Sequence, residues 1–280
     1  MAERALVLGG GGVTGIAWEL GVLSGLRALG VDLTAADVVV GTSAGSVVGA
    51  QVATGVDPQE RYEAQLAPAD GERAAALGRG AMLRLGVAVL GARDPQRMRA
   101  RIGQVALRAR TGVPAAERVA VIGRRLPVHE WPDRPLRITA VDADTGEFLL
   151  LDRDAGVPLV EAVAASCAVP GVWPPVETGG RRLVDGGVRS PVNADLAAGS
   201  DRVVVLAPLV RGLGRGSGVA AQVEALRAAG ADVALVTPDS TALAAIGRNV
   251  LDPAHRAPAA MAGRAQAEIV ADAVGAVWNR

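Results

Sequence analysis

The sequence predicts an α/β fold of three layers, α/β/α, around a mostly parallel central sheet, and three observations predict it. Short apolar runs rich in β-branched residues, at 5–8, 38–40, 136–141, 202–206 and 232–236, are separated by stretches whose apolar residues recur at helical spacing. Strands that alternate with helices belong to a mostly parallel sheet covered on both faces. The first two strands each run into a glycine-rich turn that opens a helix. With 280 residues, half of them hydrophobic, the chain can bury one large core, so it reads as a single domain, 1–280, with a helical, cap-like insertion at about 57–130.

Composition removes several function classes. Basic and acidic residues balance at 29 each and the isoelectric point is near 6.8, so no global field points to nucleic acid. All the basic residues are arginine. The single cysteine, Cys167, excludes an internal disulfide. No apolar stretch approaches the roughly 20 residues that span a bilayer, and residues 1–4 enter a strand with no leader-like run, so the expected location is cytoplasmic.

Taken in order, the first strand, 5–8, ends in Gly9-Gly10-Gly11-Gly12-Val13-Thr14-Gly15, and a helix follows over 16–29 through Ile16, Leu20, Leu23 and Leu26. Gly10, Gly12 and Gly15 satisfy the spacing of a dinucleotide loop. That reading needs an acidic residue at the end of the second strand to hold a ribose, and Asp32 and Asp37 both precede that strand. The same loop serves equally as an oxyanion hole, because successive glycine amides at a helix start can converge on one oxygen.

The second strand, 38–40, leads into Gly41-Thr42-Ser43-Ala44-Gly45 and a helix through residue 53. Serine in a Gly-x-Ser-x-Gly turn between strand and helix is held in a strained conformation with its hydroxyl at the sheet edge, beside unpaired helix amides. Ser43 is the candidate nucleophile.

Residues 57–125 are helical by pattern. Arg93, Arg97, Arg99, Arg101, Arg108 and Arg110 face only Asp94, a local excess of five positive charges. A solvated helix face explains such a run, and so does a cap lying on anionic lipid that delivers acyl chains to the site. The hairpin 136–151 turns at Asp142-Ala143-Asp144-Thr145-Gly146, where the aspartates read as turn residues accepting backbone amides and not as a cation loop. A short helix over 158–166 precedes Cys167, which has no base beside it in sequence and reads as a small buried hydrophobe. The strand 182–184 then delivers Asp185-Gly186-Gly187. Asp185 is either a plain Asp-Gly turn or the partner of Ser43, since the glycines let another loop approach closely. Beyond it lie a short helix from 191, the strands at 202–206 and 232–236 with a helix over 218–229 between them, a glycine-rich loop at 211–218, and a last helix from about 253.

Four segments now occur in one order: the loop Gly10–Gly15, the elbow Gly41–Gly45, Ala165-Ser166-Cys167-Ala168-Val169-Pro170, and Asp185-Gly186-Gly187. In this order they resemble the patatin-like phospholipases. The resemblance implies a metal-free, cofactor-free Ser-Asp dyad hydrolase of lipid acyl esters, with Ser43 as nucleophile and Asp185 as its partner. It implies an oxyanion hole from the amides of Gly10, Gly11 and Gly12 with that of Ala44, and Gly15, Gly41, Gly45, Gly186 and Gly187 as motif-supporting residues. Thr14 stands where many family members carry Lys or Arg, which puts a cation's anchoring role in doubt here. The chain has only two histidines, His129 and His255. An order Ser43, Asp185, His255 would imitate an α/β-hydrolase, whose elbow normally lies much further along the chain. The expected substrate is a lipid or acyl ester, with peripheral contact to an anionic membrane. Two other readings remain open: an acyltransferase using the same dyad, and a non-catalytic lipid-binding protein.

Overall fold

The computed structural model describes residues 3–68, 74–213 and 218–280. Its sheet has eight strands: β1 (Arg4–Leu8), β2 (Val38–Gly41), β3 (Leu136–Asp142), β4 (Phe148–Leu151), β5 (Val176–Thr178), β6 (Arg181–Asp185), β7 (Arg202–Leu206) and β8 (Asp232–Val236). The order is β5-β6-β3-β2-β1-β7-β8, with β4 also paired to β3. From β3 through β8 along that path every pairing is parallel, whereas β4, β5 and β6 pair antiparallel. The sheet is thus parallel through its centre and mixed at one side.

Alternate strand residues explain why both faces are covered. Leu6, Leu8, Val39, Ile138 and Leu206 bury against the helices α1 (Gly12–Ala28), α2 (Ala44–Ala53), α7 (Leu159–Ser166) and α10 (Arg256–Trp278). Their neighbours Ala5, Val7, Val38, Val40 and Val203 bury on the opposite face with Val219, Val223 and Leu226 of α8 (Val219–Ala228). Period-two packing on two covered faces accounts for strands that are apolar along their whole length.

The segment between β2 and β3 contributes α3 (Pro58–Leu66), α4 (Arg79–Val89), α5 (Pro95–Arg108) and α6 (Ala115–Arg125). Asp57 and Asp94 cap α3 and α5 by accepting backbone amides, each followed by proline at the first helical turn. Met98 and Ile102 of α5 pack on Val141 and Val184, while α3 lies against α1 and α10. A short helix, α9 (Ser240–Ile246), completes the set. Among the described residues no helix is long and apolar enough to cross a membrane.

Four details differ from expectation. The first helix begins at Gly12, because the Thr14 amide finds the carbonyl of Val250 and the Gly15 amide that of Gly11. Strand β5 has no counterpart in the sequence reading, being three residues whose pairing with β6 supplies their order. The helix from 191 is a single 3-10 turn, Ala194–Ala197, and His255 closes another, Pro253–His255, ahead of α10. Of the 211–218 loop, residues 214–217 lie outside the described residues, as do 69–73 of the helical segment.

Candidate active site

Register fixes the height of the site. Leu8 pairs with both Gly41 and Leu206, so β1, β2 and β7 end level and discharge their loops at one edge. Gly41 also pairs with Ile138 of β3, and Ala140, two residues further on, pairs with Asp185 at the end of antiparallel β6. The register of β6 against β3 thus sets Asp185 near the edge where β2 delivers Ser43.

Ser43 occupies the elbow between β2 and α2 with φ 53° and ψ −118°, a backbone conformation that costs a non-glycine residue energy and is retained only where surroundings enforce it. The Ser43 amide donates to the Ser166 hydroxyl at 2.9 Å, and its carbonyl accepts the Ser46 hydroxyl at 2.6 Å. Gly45 lets the turn close on β1: a Cβ there would lie 2.1 Å from the Leu8 carbonyl oxygen. The Ser43 hydroxyl donates to Asp185 Oδ2 at 2.7 Å. Both residues are buried, at 7% and 5% exposure. The Gly187 amide donates to the other carboxylate oxygen at 2.7 Å, within the turn Gly186–Val188 that Asp185 caps. Burial pushes the Asp185 carboxyl up to about 6, against the lowering effect of the Ser43 and Gly187 hydrogen bonds.

The glycine loop divides in its hydrogen bonding. The Gly10 amide donates to the Pro191 carbonyl at 2.7 Å, so Gly10 is not an available oxyanion donor, contrary to the expectation from sequence. The amides of Gly11, Gly12 and Ala44 have no acceptor among the described residues. Gly11 precedes α1 and Ala44 opens α2, so both sets of donors sit at helix amino termini, where the dipole favours an anion. Thr14 ties the loop down through its amide, at 3.2 Å from the Val250 carbonyl oxygen, and its hydroxyl, at 3.3 Å from the same atom. Anchoring of the loop therefore needs no cation at position 14.

Three supporting residues escaped the sequence reading. Glu19 of α1 is fully buried beneath the loop and accepts the Gly9 amide at 2.9 Å, and burial holds its carboxyl well above the usual range. The signal was a lone acid among the apolar residues of the first helix. Asn193, in the left-handed region with φ 48°, donates to the Thr42 hydroxyl and the Ser190 carbonyl from the loop that also holds Gly10. Ser166, read only as part of a motif, holds the Ser43 amide.

Rival nucleophiles and bases fall away on geometry. Cys167 lies beside the elbow, its thiol 3.2 Å from the Ser43 carbonyl oxygen, but burial pushes it up to about 11, which leaves it protonated. His129 bonds the Gly123 carbonyl and His255 that of Ala245, so neither ring engages Asp185 or Ser43. Asp142 accepts the amides of Asp144 and Thr145, as a turn residue does. Above the dyad opens a cleft of about 760 Å³ whose walls include Ile16, Val121, Val169, Trp173 and Leu251, with Arg118 stacked on Trp173.

Residues 6–198 match the family model described as patatin-like phospholipase. The chain belongs to the patatin-like phospholipase family. Uncharacterized NTE family proteins of Mycobacterium bovis and of two strains of Mycobacterium tuberculosis are 33% identical over 202 residues, 69% of this chain. That stretch is 47% of each relative, so the chain spans about half the length of the curated relatives it matches. Among solved structures, VipD from Legionella pneumophila aligns with 98% of this chain and 67% of its own at a TM-score of 0.49 and 15% identity. The type III effector protein ExoU aligns over 96% of this chain and 53% of its own, with a TM-score of 0.42 and 18% identity.

Proposed function

We propose that the protein is a serine acyl hydrolase acting on lipid acyl esters through a Ser43–Asp185 dyad. The observation that carries this reading is the 2.7 Å hydrogen bond from a strained, buried serine hydroxyl to a buried carboxylate. In this mechanism Asp185 takes the Ser43 proton as Oγ attacks the ester carbonyl, and the Gly11, Gly12 and Ala44 amides receive the charge that develops on the carbonyl oxygen. Collapse expels the alcohol, which takes up the proton, and leaves Ser43 acylated. Water, deprotonated by the same carboxylate, then attacks the acyl group and restores the serine. A carboxylate with its ordinary value near 3.9 is a poor base at neutral pH, and the upward shift of Asp185 brings it closer to the working range. The apolar part of the cleft wall suits an acyl chain, and Arg118, Arg124 and Arg125 line the same cleft.

Fluorophosphonate labelling and hydrolysis of a short, water-soluble acyl ester test this. Wild-type protein should label at Ser43; Ser43→Ala should neither label nor turn over. Asp185→Asn should lose turnover by about 10²–10⁴-fold, the usual worth of a positioned base. Unlabelled wild-type protein, or full activity in either variant, would instead support a non-catalytic lipid-binding protein or another site. Product analysis with an added alcohol acceptor separates hydrolysis from acyl transfer.

A further inference from the structure

The outer face of α4 is apolar and faces water. Met82, Leu83, Val87 and Leu90 are 59%, 71%, 63% and 77% exposed. Residues 83, 87 and 90 recur at helical spacing and form one stripe, with Met82 beside it. The opposite side of the same helix is apolar too: Ala88 is buried, and Leu85 and Val89 pack against the cluster shared with α5. A helix apolar on both sides is ordinarily enclosed, and an apolar row left in water marks a surface that meets something.

Charge says what it meets. A groove of about 820 Å³ between α4 and α5 is lined by Leu83, Val87 and Val105 together with Arg84, Arg101 and Arg108. These arginines, with Arg93 and Arg110 at the ends of α5, are exposed and form no ion pair among the described residues. Asp94, the single acid of the run, is consumed in capping α5 through the amides of Gln96 and Arg97. Apolar side chains rimmed by uncompensated guanidinium groups are the complement of an anionic lipid surface, with acyl chains below and phosphates above.

Position links this face to the cleft. The Ala75 carbonyl, just ahead of α4, accepts the side-chain amide of Asn249, two residues before Leu251 of the cleft wall. On the other flank a Cβ on Gly171 would lie 3.0 Å from that of Ala81, and Gly171 sits between Val169 and Trp173, both in the wall. The start of α4 is therefore fastened at two points of the rim.

We propose that the exposed face of α4, with the arginines of the α4–α5 groove, docks the protein on an anionic bilayer beside its active-site cleft. Docking stands without the hydrolase reading; only the statement that it feeds acyl chains to Ser43 rests on that reading.

The test is sedimentation with vesicles of phosphatidylcholine alone and of phosphatidylcholine with about 30% phosphatidylglycerol, at low and high salt. Wild-type protein should bind the anionic vesicles, with binding weakened at least about tenfold by high salt. A Leu83→Glu/Val87→Glu/Leu90→Glu variant should lose that binding by about tenfold or more. Its thermal melting and its hydrolysis of a short, water-soluble ester should match wild type. Replacing Arg84, Arg101 and Arg108 with Gln should weaken binding to anionic vesicles and flatten its salt dependence. Equal binding to both vesicle types, undiminished binding by the glutamate variant, or a salt-independent association would overturn the proposal. So would a wild-type dimer that ignores vesicles and is split by the glutamate substitutions, which would make the face a contact between copies. Ser43→Ala should bind as wild type does. Vesicle binding by an inactive wild-type protein would therefore retain the docking surface while removing the hydrolase.

Discussion

At the scale of single residues, the site pairs a hydroxyl with a carboxylate without an imidazole between them, and the consequence is measurable in the pH profile. In the proposed mechanism Asp185 must be ionised to accept the Ser43 proton, so kcat/KM for a water-soluble ester should fall on the acid side with a midpoint near the carboxyl's raised value of about 6. A histidine base would place a midpoint in a similar range. The deciding variant is therefore His255→Ala, since the His255 ring bonds the Ala245 carbonyl. It should keep both the activity and the midpoint, at a stability cost of about 1 kcal/mol for one lost hydrogen bond. Steady-state rates between about pH 5 and pH 8 check both expectations, and an acid limb that vanishes in His255→Ala would transfer the role to the histidine. Ser43 and Asp185 were readable in sequence because each occupies a short motif with a mechanical reason for its glycines. Glu19 and Asn193 were not, because their work is done for other loops: Glu19 accepts the Gly9 amide, and Asn193 donates to the Thr42 hydroxyl.

Among the elements, hydrophobic period identified strands and helices well, and it is silent on strand direction. A run such as Leu183-Val184 is equally apolar whichever way it points, and the antiparallel register that sets Asp185 beside Ala140 comes from pairing with β3. The glycine loop shows the same limit. Glycines at 10, 11 and 12 look equivalent in sequence, and tertiary contact separates them, with Pro191 claiming the Gly10 amide while those of Gly11 and Gly12 stay open. Helix contacts make a sharper prediction. The loop is carried by α1, which crosses α10 through small residues: a Cβ on Gly21 would lie 2.1 Å from the Ala260 carbonyl oxygen, a backbone atom that cannot step aside. Gly21→Ala should cost about 1–3 kcal/mol, the usual range for overpacking. Gly86→Ala in α4, where nothing lies within 4 Å of the added methyl, should be neutral or stabilising by up to about 1 kcal/mol. Urea denaturation of the two variants measures the contrast, and equal midpoints would deny that the α1–α10 crossing is tight.

For the molecule as a whole, two buried carboxyls tie stability to pH. Glu19 and Asp185 both titrate above their ordinary values of 4.5 and 3.8, chiefly because burial disfavours the charged form. Between those values and the raised ones the folded chain holds protons that the unfolded chain has released, so stability falls as pH rises through that window. For Asp185, the shift from 3.8 to about 6 corresponds to about 3 kcal/mol between the two ends. Asp94 and Asp142 act in the opposite sense: their carboxyls are lowered, Asp94 chiefly by the Arg97 amide and Asp142 by turn amides that outweigh its burial, so their share is lost as pH drops. The urea midpoint of the wild-type protein should therefore peak near about pH 4 and decline as pH rises toward neutrality. Glu19→Gln keeps an acceptor for the Gly9 amide and removes the titration, so it should flatten the decline above about pH 4.5 and leave Ser43 and Asp185 in place. Asp185→Asn should flatten it between about pH 4 and pH 6 and lower turnover, because in the proposed mechanism the same buried charge that burdens the fold is the base. An undiminished decline in Glu19→Gln would mean that Glu19 is already ionised beneath the loop, and a Gly9 amide bonded to a full charge would then hold that loop in place.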